Sequence, residues 1–484
     1  MDKKNILQYI EDQKSSITHL SDQIWDYAET AYEEKKSSRA IIDYLKAEGF
    51  EVEIGIAGIE TAFKASFGSG SPVIGYLGEF DALSGLSQVE NLTKKEAIEK
   101  DGNGHGCGHN LLGAGALAGA LGLKKYLENN PTKGTVVYLG CPAEEGGSGK
   151  TFMAREGVFD DLDVALTWHP STINGVWSGS TLANLQVYYK FYGVSAHAAA
   201  NPSQGRSGLD AVELMNVGVQ FLREHIMPEA RIHYAITNSG GFSPNVVQAY
   251  GEVLYLIRAP IMNDVNSIYQ RVNDIAKGAA LMTGTQVEID FVKACSNLTP
   301  NRVLEELLYE NMKKIELPKY SKEEETFAAQ IMNTNGEEEG LMKQTFGEML
   351  SSNNSEGLAA KFQKPILNFL MPHFTMNKPL PGSTDVGDVS WICPTAQIAA
   401  ASWVNRTSAH SWQAVAQGKS SIAHKSLIYA GQVLAATGID LLENPEFVEK
   451  AKEELKSRLG DGSYQCPIPK DINPRSLQIK RGVE

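Results

Sequence analysis

Several things are scarce in this sequence, and each scarcity removes a class of protein. No run of eighteen apolar residues occurs in the 484-residue chain, so no membrane-spanning helix is expected. The opening residues Met1-Asp2-Lys3-Lys4-Asn5-Ile6-Leu7 lead into a charged amphipathic pattern without the apolar centre of a signal peptide, and an unexported, cytoplasmic protein is expected. Cysteines number five (Cys107, Cys141, Cys295, Cys393 and Cys466). Their scatter fits no disulfide framework and points to reduced thiols. Lys and Arg together number 44 against 58 Asp and Glu, a formal charge of −14. That field repels nucleic acid and anionic membrane surfaces, so neither is expected as a partner. Histidines number only ten, which makes their positions informative.

What is present is a globular composition, 42% apolar and 21% charged, on a chain long enough for two domains. Apolar spacing predicts helices over residues 3 to 31 and 37 to 48, the latter stopped by Gly49. Strands are predicted at 51–54, 61–67 and 73–78, the last running into Glu79-Phe80-Asp81. Asn110 is expected to cap a helix over 111–128. Gly113, Gly115, Gly119 and Gly122 weaken that helix, so close packing against a sheet is expected to compensate. The apolar runs 135–140 and 163–167 read as parallel strands. Three strand-like runs thus finish in acidic or imidazole side chains, where an open α/β sheet holds its ligands.

From residue 183 the pattern changes to a βαββαβ order of strands and helices, a self-contained α+β unit that interrupts the sheet-forming part. The expected division is therefore 1–182, first part of a catalytic metal-binding domain; 183–296, an inserted domain; and 297–484, the second part. Residues 316 to 357 read as surface helices with a mobile loop at Ser351-Ser352-Asn353-Asn354-Ser355. A strand over Gln397 to Trp403, a loop carrying His410, a helix over 419–442 and a charged tail follow.

The chemistry concentrates in Gly104-His105-Gly106-Cys107-Gly108-His109-Asn110 and Cys141-Pro142-Ala143-Glu144-Glu145-Gly146-Gly147. Cys107 and His109 are two apart, so in an extended segment both side chains face one way and can bind one ion. Glu145 and His169, at strand ends, are further candidate ligands. Two buried carboxylates side by side are costly without a cation, and Glu144 is left free to act as a base. Gly146 to Thr151 ends like a phosphate-binding loop, but the template needs glycine at 144, and the glutamates there would repel phosphates.

These motifs, together with His169-Pro170, Ser195-Ala196-His197-Ala198-Ala199, Asn245-Val246-Val247 and Gly382-Ser383-Thr384-Asp385, resemble the M20 metallopeptidase/aminoacylase family, in its amidohydrolase branch, subfamily D. The resemblance implies a mixed, mostly parallel sheet with flanking helices of the zinc-peptidase type, and an inserted ferredoxin-like lid that forms a homodimer. It implies two divalent ions, Zn²⁺ or Mn²⁺, held by Cys107, His109, Glu145, His169 and a late histidine. His410, 25 residues after Asp385, fits that position better than His424, which falls inside a helical pattern. Glu144 is the implied general base acting on a metal-bridged water. His105 would orient the site from behind, and His197 would reach the neighbouring subunit's site to donate to the oxyanion. Asn245 and Arg258 resemble positions that grip a substrate carboxylate. The implied activity is cleavage of the amide of N-acyl or N-aroyl amino acids such as p-aminobenzoyl-glutamate, with a related A-type subunit as a possible further partner. A dipeptidase of the β-alanyl-lysine type shares the motifs, and an inactive binding protein that kept the fold is the reading from another class. Three features depart from the branch: Asn110 where Asp is common, the 316–357 insertion, and no His-His-Pro before the last long helix.

Overall fold

In the computed structural model, which describes residues 1–335, 360–376 and 378–475, the strands are β1 (Glu51–Ile54), β2 (Phe63–Ser69), β3 (Val73–Glu79), β4 (Gly134–Cys141), β5 (Val164–Ser171), β6 (Gly175–Val176), β7 (Ala183–Tyr192), β8 (Arg231–Asn238), β9 (Tyr250–Ala259), β10 (Gln286–Cys295) and β11 (Thr395–Ala401). Among the described residues they form two sheets, one ordered β1-β2-β4-β3-β5-β11-β6 and one ordered β10-β7-β9-β8. In the first, β4, β3, β5 and β11 run parallel, with antiparallel strands at both edges. The parallel strands are buried on both faces and are correspondingly apolar. The second sheet is wholly antiparallel and joins the helices Gly208–Leu222 and Met262–Thr283 in βαββαβ order. Its first and last strands are neighbours, with Asn184 opposite Cys295.

The helix His109–Asn129 lies across the first sheet and against the helix Ser421–Glu443. Its glycines permit this approach: a Cβ on Gly115 would come within 2.5 Å of the Trp168 indole, and one on Gly122 within 2.6 Å of Ala435 Cβ. Asn110 is not its cap. Gly108, in the left-handed conformation at φ 74°, precedes the helix, and Asn110 is buried inside it, donating to Ser21 Oγ and the Gly418 carbonyl at 3.1 Å each. The opening helical region is broken, as Lys3–Asp12 and Lys14–Tyr27, where six polar residues separate Ile10 from Ile17. The strand expected to end at Thr167 continues through His169 to Ser171. The tail carries a helix, Glu446–Leu459, that its charge had masked. Within the expected insertion the helix Lys322–Met332 is formed with a capping box at Ser321 and Glu324. The Ser351–Ser355 loop lies outside the described residues. Among the described residues, no helix is long and apolar enough to cross a membrane.

Candidate active site

The parallel strands β3, β4 and β5 bring their C-terminal ends together, and with them Glu79 and Asp81, then Glu144 and Glu145, then His169. Cys107 and His109 do not reach the site through an extended segment. The chain turns at Gly106-Cys107, and left-handed Gly108 starts the helix whose first residue is His109. Glycine is required at 106 by close approach: a Cβ there would lie 2.6 Å from Leu86 and 3.2 Å from the Cα of His410. The backbone N–H of His410 donates to the Gly106 carbonyl at 2.8 Å.

Glu144 and Glu145 open a single helical turn, Glu144–Gly147, bracketed by two non-glycine residues in the left-handed region, Ala143 at φ 61° and Ser148 at φ 54°. Each such residue costs on the order of 1–3 kcal/mol, and such strain concentrates at functional sites. Buried Glu34 holds the turn by accepting the Ala143 N–H at 2.9 Å, and the Tyr32 hydroxyl donates to the Gly147 carbonyl at 2.8 Å.

Two donor triads share one atom. Cys107, His109 and His169 form one and Cys107, Glu145 and His410 the other, each with ligand atoms within 4.8 Å of one another. The imidazoles are oriented from behind. Asp81 Oδ1 lies 2.8 Å from His109 Nδ1, and the Pro170 carbonyl 2.7 Å from His169 Nδ1, which turns both Nε2 atoms toward the other donors. His169 Nε2 is 3.5 Å from Cys107 Sγ, and His410 Nε2 is 3.2 Å from Glu145 Oε1. The donor set fits divalent metal: buried His109 Nε2 and Glu145 Oε1 make no well-aligned hydrogen bond, and each faces only another candidate donor at 3.2 Å, Glu79 Oε2 and His410 Nε2. Burial also pushes the Cys107 thiol well up, so a cation is what would make it a thiolate. His424 stands apart, on its long helix, paired with Asp22 at 2.8 Å. His105 is buried nearby but bonds the Ile24 carbonyl, and burial lowers it to about 4.

Glu144 groups with Glu79 and His109. Burial, then the charges of Glu79, Asp385 and Glu145, raise its carboxyl well above the ordinary range. The cleft, about 380 Å³, opens onto Glu144, Arg258 and Lys293. Arg258 donates to Ser383 Oγ at 2.7 Å. His197 and Asn245 are neighbours of each other, through a bridge between His197 and Val246, but both are exposed and neither lines this cleft.

Sequence reasoning missed Asp81, Glu34, Lys150 and Lys293. Asp81 joins the two halves of the site, bonding His109 and accepting the Glu145 N–H at 2.9 Å. Its one signal is the acidic end of the run 73–81. Lys150, from the phosphate-loop lookalike, is fully buried between Glu79 and Asp385.

The model of Peptidase family M20/M25/M40 matches residues 76–411. The chain is 48% identical over 475 residues to the B subunit of p-aminobenzoyl-glutamate hydrolase from Escherichia coli, covering 97% of this chain and 98% of that protein. It is 28% identical to the Xaa-Arg dipeptidase of Mus musculus, over 94% of this chain and 93% of the relative. A dinuclear metal-binding M20 peptidase from Bacillus subtilis superposes with a TM-score of 0.54 at 17% identity, over 90% of this chain and 99% of its own.

Proposed function

The chain belongs to Peptidase family M20/M25/M40 and is a hydrolase of amide bonds, and on that footing we propose that it cleaves N-aroyl amino acids of the p-aminobenzoyl-glutamate kind. The observation that carries this reading is the sharing of Cys107 by two donor triads with Glu144 beside them. Cys107, His109, His169, Glu145 and His410 would hold two divalent ions, zinc or manganese. When bound, the pair supplies a Lewis acid for the scissile carbonyl and lowers the pKa of water.

Glu144 takes the proton of the attacking water and returns it to the leaving nitrogen, a double task that its place beside the donor triads, on the cleft, allows. Arg258 and Lys293 give the cleft two cations, matching the two carboxylates of a glutamate product. The same cations oppose a basic amino acid, which disfavours the dipeptidase reading. His197, exposed and outside its own cleft, donates to the carbonyl oxygen of a second subunit's substrate as charge develops, with Asn245 beside it. The residues 183–296 act as the lid and dimer-forming domain between the catalytic parts 1–182 and 297–484. A hetero-oligomer with an A-type subunit is the further assembly suggested by the name of the Escherichia coli relative. The cysteines are all free, in keeping with a cytoplasmic setting.

Glu144→Gln should lower turnover of p-aminobenzoyl-glutamate by about 10²–10⁴-fold while metal content stays at the parent's level. Parental turnover in that variant would remove Glu144 from the role of base. A protein that holds and takes up no stoichiometric metal would instead be a binding protein on this fold.

A further inference from the structure

Beside the metal cleft lies a second cavity of about 250 Å³, lined mostly by apolar side chains, with the hydroxyls of Ser171, Thr172 and Ser178 among them. Val176, Trp177, Met371, Phe374, Met376 and Ala399 line it. Among the described residues no charged side chain lines it.

The two cavities occupy one face of the same pair of strands. In β5, His169 belongs to the metal centre and Ser171, two residues on, to the apolar cavity; in β11, Gln397 lines the cleft and Ala399 the cavity. Side chains two apart on a strand share a face and are separated by about 6.6–6.8 Å. His169 and Ala399 are opposite one another in the parallel register. Trp177 lines both spaces, its ring centroid 5.9 Å from that of His169. Its indole Nε1 is buried without a hydrogen-bond partner, so a polar group on a ligand here would find a donor waiting.

The lining is held in place. Met371 N–H donates to the Asn174 carbonyl and Leu380 N–H to the Ser180 carbonyl, each at 2.8 Å. His373 Nε2 lies 2.9 Å from Ser178 Oγ and 3.3 Å from buried Glu305. The cavity is therefore a pre-formed, mostly apolar space between two anchored segments, of the kind that takes a small-molecule group.

We propose that this cavity is the acyl subsite: with the scissile carbonyl at the metal centre, the aromatic ring of an N-aroyl amino acid passes Trp177 and packs among Val176, Met371, Phe374 and Met376. The assignment rests on the proposed amidohydrolase activity. It sets the chain's preference for aromatic over small acyl groups, whereas Arg258 and Lys293 act on the amino-acid half.

The test is a series of N-acyl glutamates carrying acetyl, benzoyl and 4-phenylbenzoyl groups, with kcat/KM measured for each. Ala399→Leu, which adds bulk to the lining, should lower the benzoyl-to-acetyl ratio about tenfold. The double variant Phe374→Ala/Met376→Ala, which removes bulk from the lining, should raise the phenylbenzoyl-to-benzoyl ratio about fivefold. If the leucine variant does not fold, the double variant decides. A parent that hydrolyses these substrates, with variants that leave both ratios unchanged, would overturn the subsite and leave the activity standing. A parent that hydrolyses none of them would overturn both.

Discussion

Lys150 grips Asp385 twice, its backbone N–H donating to Oδ2 at 2.8 Å and its ammonium to Oδ1 at 2.5 Å. The ammonium also lies 2.7 Å from Glu79 Oε1, and all three residues are buried. The stretch that imitates a phosphate loop is thus a strut. It ties the end of β3 to the Gly382–Asp385 loop, directly behind Glu144.

Lys150→Met should therefore destabilise the fold by about 3–5 kcal/mol, because two carboxylates lose their buried counter-charge. Urea unfolding of the metal-free protein measures this. A loss well below about 1 kcal/mol would mean that the carboxylates share a proton instead.

Asp81→Ala removes the acceptor that fixes His109 Nδ1 and the Glu145 N–H. Metal affinity should fall about 10–100-fold with the ligands themselves untouched. Calorimetric titration of metal-free protein reads this directly, and unchanged affinity would deny Asp81 its orienting role.

Glu34 accepts the Ala143 N–H and the Thr61 hydroxyl in a buried position. Burial first, then the charge of Asp81, push its carboxyl up to about 8. The folded chain then holds this proton more tightly than the unfolded one. The resulting stability is present below about 4.5 and is lost as pH rises through about 8. Glu34→Gln copies the protonated form, so its stability relative to the parent should climb across that window. Parallel pH curves in denaturant titrations would show that Glu34 is ionised when folded.

Leu214, Val217 and Phe221 form an exposed stripe on the helix Gly208–Leu222, at 38%, 53% and 74% exposure. On the proposed dimer through residues 183–296, Phe221→Asp should shift sedimentation velocity toward monomer, and turnover should fall about 10²-fold with loss of the proposed oxyanion donation across the dimer. A fully active monomer would place the oxyanion donor within one subunit.

The sheet-forming runs and the βαββαβ unit were legible because hydrophobic period survives without knowledge of partners. So were Cys107, His109, Glu144, Glu145, His169 and His410, whose residue types at glycine turns and strand ends are uncommon; the fold brings all six together. Asp81 and Lys150 were not legible, since their partners lie far along the chain. Asn110 misled because capping depends on the conformation of its neighbour: once Gly108 turned left-handed, the helix began earlier and buried the asparagine. Trp177 showed no period at all, and its position between two cavities follows from strand pairing.

The pairing of Asn184 with Cys295 on one side and Arg258 on the other fastens the four-stranded unit at the end where it meets the cleft. Strand β7 extends about 27 Å from Asn184 to Tyr192 at roughly 3.4 Å per residue, and His197 lies beyond it. In the proposed dimer the unit would act as a lever, with its guanidinium near the cleft and its imidazole past the far end of β7. A rotation that barely shifts Arg258 would sweep His197 through several ångström. Substrate could thus be gripped by its carboxylate while the arm is open, and the donor for the oxyanion would arrive only with closure.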